Sequence, residues 1–211
     1  MRFDTIFFDL DDTLYPSSAG LWPAIKDRMN CYMRERLDIP EHQIPVLRER
    51  FFQEYGTTLR GLQAHYAIDT RDYLAYVHDL PLDRYLVPNP TQRNVIASLP
   101  TRNLVFTNSD ESHARRVLKQ LQLGDMFAGI VDIHSIAPYC KPMPESFEIA
   151  ARIAGNARPG RCVMIDDLPH TTRAARQYGM SSLLYGGEAV YGAADSSFSE
   201  WSELPSLLEG L

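Results

Sequence analysis

Phe3 to Phe8 form a short apolar run that stops in Asp9-Leu10-Asp11-Asp12. The run is too short and too apolar for a surface helix, so it reads as a buried strand. The pattern then takes a helical period. Trp22, Ile25, Met29 and Met33 fall on one helix face, with Pro23 acceptable in the first turn. Ile44, Leu47, Phe51 and Tyr55 repeat the pattern until Gly56 stops it. Leu59, Leu62 and Tyr66 mark a shorter helix, and Tyr73, Leu74 and Val77 another. Pro81, Pro88 and Pro90 bound this stretch, and no strand pattern interrupts it.

After Pro90 helix and strand alternate. Helices are expected near 91–99, 110–121, 144–154 and 170–178. Strands are expected at Asn103–Phe106, near Gly129–Ile133, at Cys162–Ile165 and at Ser182–Tyr185. The helix after Phe106 is marked by Ala114, Val117, Leu118 and Leu121 on one face. The helix near 144 opens with Pro144 and Glu145, and Tyr178-Gly179 is a helix stop. From Gly186 the periodicity is weak, so coil is expected, then a short helix carrying Leu204, Leu207 and Leu208.

Short apolar strands separated by helices imply an α/β fold: a Rossmann-like, mostly parallel sheet covered by helices on both faces. The first strand belongs to that sheet. The all-helical stretch is therefore an insertion after strand one. The expected division is a core of residues 1–15 and 89–211 and a helical cap of residues 16–88.

Composition narrows the classes. The 211 residues are 45% hydrophobic and 23% charged, ordinary values that exclude a mainly disordered or low-complexity chain. The formal charge of -6 argues against nucleic acid or an anionic membrane as partner. Cys31, Cys140 and Cys162 are scattered, with no C-x-x-C pair. The opening apolar run is broken by Asp4 and Asp9, which excludes a signal peptide or membrane span there, so a cytoplasmic protein is expected. Nothing in the pattern chooses between a monomer and a homodimer.

Ligands of an open parallel sheet bind beyond the carboxyl ends of its strands. Asp9, Asp11, Asp12 and Thr13 follow the first strand, Thr107, Asn108, Ser109 and Asp110 follow the second, and Asp166 and Asp167 follow the strand at 162–165. Lys141 lies in the loop before the helix at 144. Crowded carboxylates raise one another's pKa unless a cation intervenes, and hard oxygen ligands suit Mg²⁺. Lys141 would add a compact positive charge. Thr107-Asn108-Ser109 offers a hydroxyl and backbone N–H groups at a helix start, a natural phosphate cradle.

Asp9-Leu10-Asp11-Asp12-Thr13-Leu14 resembles the signature of the haloacid dehalogenase-like hydrolases. Phe106-Thr107-Asn108, Lys141-Pro142 and Ile165-Asp166-Asp167 resemble that family's second, third and fourth motifs, in matching order and spacing. Leu14-Tyr15-Pro16-Ser17, Tyr55 to Leu62, and Tyr76-Val77-His78-Asp79 are similar to its pyrimidine 5'-nucleotidase-like branch. Asp12-Thr13 stands where several members of that branch carry Asn-Cys, and Leu168-Pro169-His170 departs from the Ser and Asn often found there.

The resemblance implies a phosphatase with Asp9 as nucleophile and Asp11 as acid and base. It implies Mg²⁺ on Asp9, the Asp11 carbonyl, Asp166 and Asp167, and phosphate held by Thr107, Asn108 N–H and Lys141. Tyr15, Thr57 and Arg60 are candidates for substrate selection. The expected substrate is a small phosphorylated metabolite, first a pyrimidine nucleoside 5'-monophosphate. A phosphoglycolate or sugar-phosphate phosphatase and a phosphosugar mutase share these motifs. A haloacid dehalogenase would lack Asp11, a receiver domain would place its acidic pair after strand one, and a non-catalytic binding protein would lack a motif residue.

Overall fold

All four residues of β1 (Thr5–Phe8) are buried in the computed structural model, which describes residues 2–187 and 192–211. β1 pairs in parallel with β2 (Arg102–Phe106) on one side and β4 (Cys162–Asp166) on the other. β3 (Gly129–Val131) flanks β2, and β5 (Ser181–Tyr185) flanks β4. The sequence pattern does not predict β6 (Ser196–Phe198), a parallel edge strand on β5. It is three residues long and two are serines, so it carries no apolar signal. Among the described residues the sheet has six strands in the order β3-β2-β1-β4-β5-β6, all parallel. The expected coil at 188–191 lies outside the described residues.

Two compact units account for the chain: Met1–Ser17 with Leu86–Leu211, and Ser18–Tyr85. In the first, α5 (Pro90–Ser98) and α6 (Glu111–Gln120) lead to β2 and β3, and α7 (Pro144–Ile153) and α8 (Pro169–Tyr178) lead to β4 and β5. The chain moves outward along the sheet before β3 and the opposite way after it. With right-handed crossovers the two helix pairs therefore cover opposite faces. The aromatic residues agree. Phe7 meets Phe106, which meets Phe147 of α7, which stacks on Tyr178 of α8. Phe8, one residue on and pointing the other way, meets Phe127 and Trp201. The terminal α9 (Leu204–Gly210) buries Leu204 and Leu208.

The second unit holds α1 (Leu21–Leu37), α2 (Ile44–Tyr55), α3 (Thr58–His65) and α4 (Thr70–Val77). α1 packs on α4 and α2 on α3. The approach of α2 to α3 requires Gly61, because a Cβ there would lie 2.2 Å from the Phe51 ring. Gly56 ends α2 in the left-handed region at φ 80°, as its position in the sequence predicts. Among the described residues no helix is long and apolar enough to cross a membrane.

Candidate active site

Strand order reverses at β1, the usual place for a ligand in an open α/β sheet. Asp9 N–H donates to Ile165 O at 2.8 Å, which carries the pairing past the end of β1 and sets Asp9 beside Asp166. Thr107 N–H donates to Val131 O, so the end of β2 is held in the same way.

Lys141 is buried among these ends. Its Nζ donates to Asp9 Oδ1 and to Asp166 Oδ2, both at 2.6 Å. Burial by itself would lower the ammonium's pKa, but Asp166 and Asp9 outweigh it and hold Lys141 charged, above its usual range. Asp166 Oδ1 accepts from Leu168 N–H at 2.9 Å, so each of its oxygens has a donor. Asp9 is raised well above the usual carboxylate range by burial, against the pull of Lys141 and with the help of Asp166. Burial and the Asp9 charge raise Asp167 in the same direction. One ammonium is too little positive charge for this group of acids.

Asp9, Asp166 and Asp167 each offer a carboxylate oxygen within 4.8 Å of the others. Thr13 Oγ lies 3.2 Å from Asp9 Oδ2 and 3.4 Å from Asp167 Oδ1. Hard anionic oxygens with raised proton affinity suit a small divalent cation, so the residues present fit one. The Asp11 carboxylate is not in this cluster, and the sequence expects only its carbonyl there.

Asp11 is held by different neighbours. Tyr15 Oη donates to its Oδ1 at 2.7 Å, His113 Nε2 lies 3.0 Å from the same oxygen, and Ser109 Oγ donates to Oδ2 at 2.6 Å. Tyr15 is buried, and burial together with the Asp11 charge pushes its phenol well above its ordinary value. The sequence places Tyr15 with the substrate-selecting residues; the structure gives its hydroxyl to Asp11.

Thr107 Oγ accepts from Ser109 N–H at 3.0 Å, and the same hydroxyl carries a hydrogen it can donate. Asn108 is expected to offer its backbone N–H, and its side chain has a further partner. Nδ2 donates to Lys141 O at 3.0 Å, and Oδ1 accepts from Lys141 N–H at 2.8 Å. This double bond pattern fixes the backbone from which Lys141 projects.

Thr57 and Arg60 belong to the helical unit. Thr57 Oγ accepts from Arg60 N–H at 3.1 Å and caps α3, while Arg60 Nη1 donates to Gln63 Oε1 at 2.9 Å. Sequence reasoning does not single out His113, and it places Ser109 in the phosphate cradle, whereas the structure gives the Ser109 hydroxyl to Asp11. The signal for His113 is its place on the apolar face of α6, four residues before Val117.

Residues 3–179 match the sequence profile described as haloacid dehalogenase-like hydrolase. The chain is 31% identical over 193 residues to "Phosphate metabolism protein 8" of Saccharomyces cerevisiae, covering 85% of this chain and 60% of that protein. It thus spans under two thirds of the yeast protein's length. It is 26% identical over 229 residues to "Glyceraldehyde 3-phosphate phosphatase" of Pyrococcus furiosus, covering 100% and 93% of the two chains. The crystal structure of a predicted phosphoglycolate phosphatase from Haemophilus somnus shares the fold at a TM-score of 0.66, with 15% identity over 99% of each chain. With its profile match spanning β1 to the end of α8, and Asp9, Lys141, Asp166 and Asp167 gathered at one sheet edge, the chain belongs to the haloacid dehalogenase-like hydrolases.

Proposed function

We propose that this protein is a Mg²⁺-dependent phosphomonoester hydrolase that acts on a small phosphorylated metabolite through an aspartyl-phosphate on Asp9. One observation carries the reading. Lys141 bonds Asp9 and Asp166 at a sheet edge where Asp167 also offers an oxygen, and these acids outnumber the cation. A dianionic phosphate needs positive charge beside an anionic nucleophile. Lys141 and a divalent ion on Asp9, Asp166 and Asp167, with the Asp11 carbonyl, would supply it. When bound, the ion screens the nucleophile from the phosphate charge and stabilises the phosphoryl oxygens in flight.

The chain's own residues take the following parts. A carboxylate oxygen of Asp9 attacks phosphorus, and the bond from phosphorus to the ester oxygen breaks. Asp11, in its acid form, gives its proton to the leaving alkoxide. The resulting carboxylate then takes a proton from water as that water attacks the aspartyl-phosphate. The bond from phosphorus to Asp9 breaks, and inorganic phosphate leaves. Thr107 Oγ–H, Asn108 N–H and Lys141 Nζ hold the phosphoryl oxygens, and the Asn108 side chain keeps Lys141 in place.

The finer reading of the substrate is a pyrimidine nucleoside 5'-monophosphate. It is supported by the resemblance of Tyr55 to Leu62 and Tyr76 to Asp79 to the pyrimidine nucleotidase branch. The name of the Pyrococcus furiosus relative supports the broader class, a small phosphate ester. The test is kcat/KM for UMP, CMP, AMP, ribose 5-phosphate, phosphoglycolate and glyceraldehyde 3-phosphate at equal Mg²⁺. UMP or CMP should lead. A lead by any other ester removes the nucleotide assignment and keeps the phosphatase. Undiminished turnover after rigorous chelation, or normal turnover by Asp9→Asn, removes the mechanism itself.

A further inference from the structure

Three side chains surround the Asp11 carboxylate, and the hydrolytic steps above use none of them. Tyr15 lies four residues beyond Asp11, after the turn in which Leu14 N–H donates to Leu10 O. Ser109 follows the phosphate-cradle residues Thr107 and Asn108. His113 stands in the first turn of α6. All three are buried, Tyr15 at 2% exposure, Ser109 at 6% and His113 at 1%. In its ionised form, the one left after it has protonated the leaving group, Asp11 only accepts, so Nε2 of His113 then carries the hydrogen in this pairing. Asp11 Oδ1 thus takes a phenol and an imidazole N–H, and Oδ2 takes a hydroxyl.

These donors are themselves held. Asp110 Oδ1 accepts from His113 N–H at 3.0 Å, and Asp132 Oδ2 accepts from Glu111 N–H at 3.1 Å, so the first turn of α6 is fixed from two sides. Ser109 O accepts from Ile133 N–H at 3.0 Å. The result is a preorganised cage around one carboxylate. A structural polar network would join helices or strands to each other. This one converges on a single side chain two residues from the proposed nucleophile.

We infer that His113, Ser109 and Tyr15 are positioning residues for Asp11, fixing the rotamer from which its carboxyl reaches the leaving-group oxygen. The inference rests on the phosphatase reading and deepens it. A carboxylate on a short loop has several staggered rotamers. Three donors aimed at both oxygens select one of them, and misplacing a catalytic group by about 1 Å costs on the order of 10²-fold. His113 is the most deeply buried of the three donors. Its loss frees Oδ1 from one side and leaves a space beside it.

The test is leaving-group dependence in the full chain with Mg²⁺. It uses p-nitrophenyl phosphate, whose leaving group needs no proton, and glycerol 3-phosphate, whose alkoxide does. kcat/KM reports formation of the aspartyl-phosphate and excludes the later hydrolysis step. His113→Leu should lower kcat/KM for glycerol 3-phosphate about 10–100-fold and for p-nitrophenyl phosphate less than about 3-fold. His113→Gln, whose Nε2 can replace the ring donor, should recover to within about 5-fold of wild type on glycerol 3-phosphate. Ser109→Ala and Tyr15→Phe each remove one donor with little change in volume. They should show the same selectivity at about 3–10-fold, and they serve if His113→Leu does not fold. Equal losses on both esters, no loss on glycerol 3-phosphate, or a folded His113→Gln no better than His113→Leu would each overturn the inference. A wild type inactive on both esters and on all six substrates of the preceding test overturns the phosphatase reading and takes this inference with it. A flat ratio in an active wild type overturns the inference alone.

Discussion

The sheet edge of the α/β unit and the helical unit use their polar side chains in opposite ways. In residues 18–85 each bond serves a nearby helix. Thr57 caps α3 and Asp69 caps α4, Tyr32 donates to Asp72 at 3.0 Å, and Arg48 donates to Asn30 at 2.9 Å. Ion pairs there are exposed, as in Arg34 with Glu35 and Arg50 with Glu54. At the sheet edge Asp9, Asp166 and Asp167 crowd around one ammonium, and burial pushes Asp9 and Asp167 toward the neutral form. Such an arrangement costs stability that the fold must supply elsewhere. The difference marks the sheet edge, where the proposed chemistry lies, as the place where the molecule tolerates electrostatic cost.

The largest break in that comparison should come from Asp9→Asn. Turnover should fall by at least about 10³-fold, because the proposed nucleophile is gone. The melting temperature should hold or rise, because a buried crowded charge has been removed. A melting temperature lowered together with activity would assign Asp9 to the architecture.

Lys141→Met should do the reverse to stability. It leaves Asp9 and Asp166 buried without their cation, and breaking a buried pair costs about 3–5 kcal/mol. Urea unfolding measures this. A matching substitution in the helical unit, Arg60→Ala, should cost under about 1 kcal/mol, as for an exposed bond. Equal costs would erase the contrast.

A pH series with and without Mg²⁺ sharpens the comparison further. Asp9 is raised to about 7 and Asp167 to about 8 in the metal-free fold. The folded state therefore binds more protons than the unfolded chain between the ordinary carboxylate range and these values. Stability from these two groups is present at low pH and declines as pH rises through that window. A divalent ion needs the ionised carboxylates, so its stabilising effect should grow over the same window. The shift in melting temperature on adding Mg²⁺ should be small near about pH 5.5 and larger near about pH 8.5. A shift independent of pH would show that these acids are not the ligands.

The smallest effect belongs to the helical unit. Thr57→Val removes the cap of α3 and should cost about 0.5–2 kcal/mol, restored by Thr57→Ser. If Thr57 also reads a base, the ratio of kcat/KM for UMP over AMP should narrow in Thr57→Val and return in Thr57→Ser. An unchanged ratio leaves the residue as a cap alone.

Sequence periodicity was enough to find β1 to β5 and α1 to α9, because their apolar positions repeat at the strand or helix interval. β6 was hidden because an edge strand of Ser196, Ser197 and Phe198 is held by backbone bonds to β5, and backbone bonds leave no side-chain pattern. The motif carboxylates, Thr107 and Lys141 were legible from their positions after strands. The cage around Asp11 was not. His113 looks like one more member of a buried helix face, and only the folded chain brings it to Asp11 across 102 positions. Tyr15 was legible as a site residue, but the direction of its hydroxyl was not. The Asn108 side chain was also hidden, since a pairing with the backbone of Lys141 depends on two loops meeting.

The strand order also has a consequence for how the molecule is made. Thr5 pairs with Arg102 on one side and with Cys162 on the other. β1 is synthesised long before either neighbour, and it is the strand that carries Asp9. One edge stays unpaired until β2 emerges behind the helical stretch, and the other until β4 follows β3. Contacts so distant along the chain close slowly, and an exposed strand edge invites association with other chains. Nascent chains halted before β4 lack the partner that aligns Asp9 with Asp166. Competence for catalysis therefore arrives late in synthesis, and the interval before it is when the polypeptide most needs a chaperone.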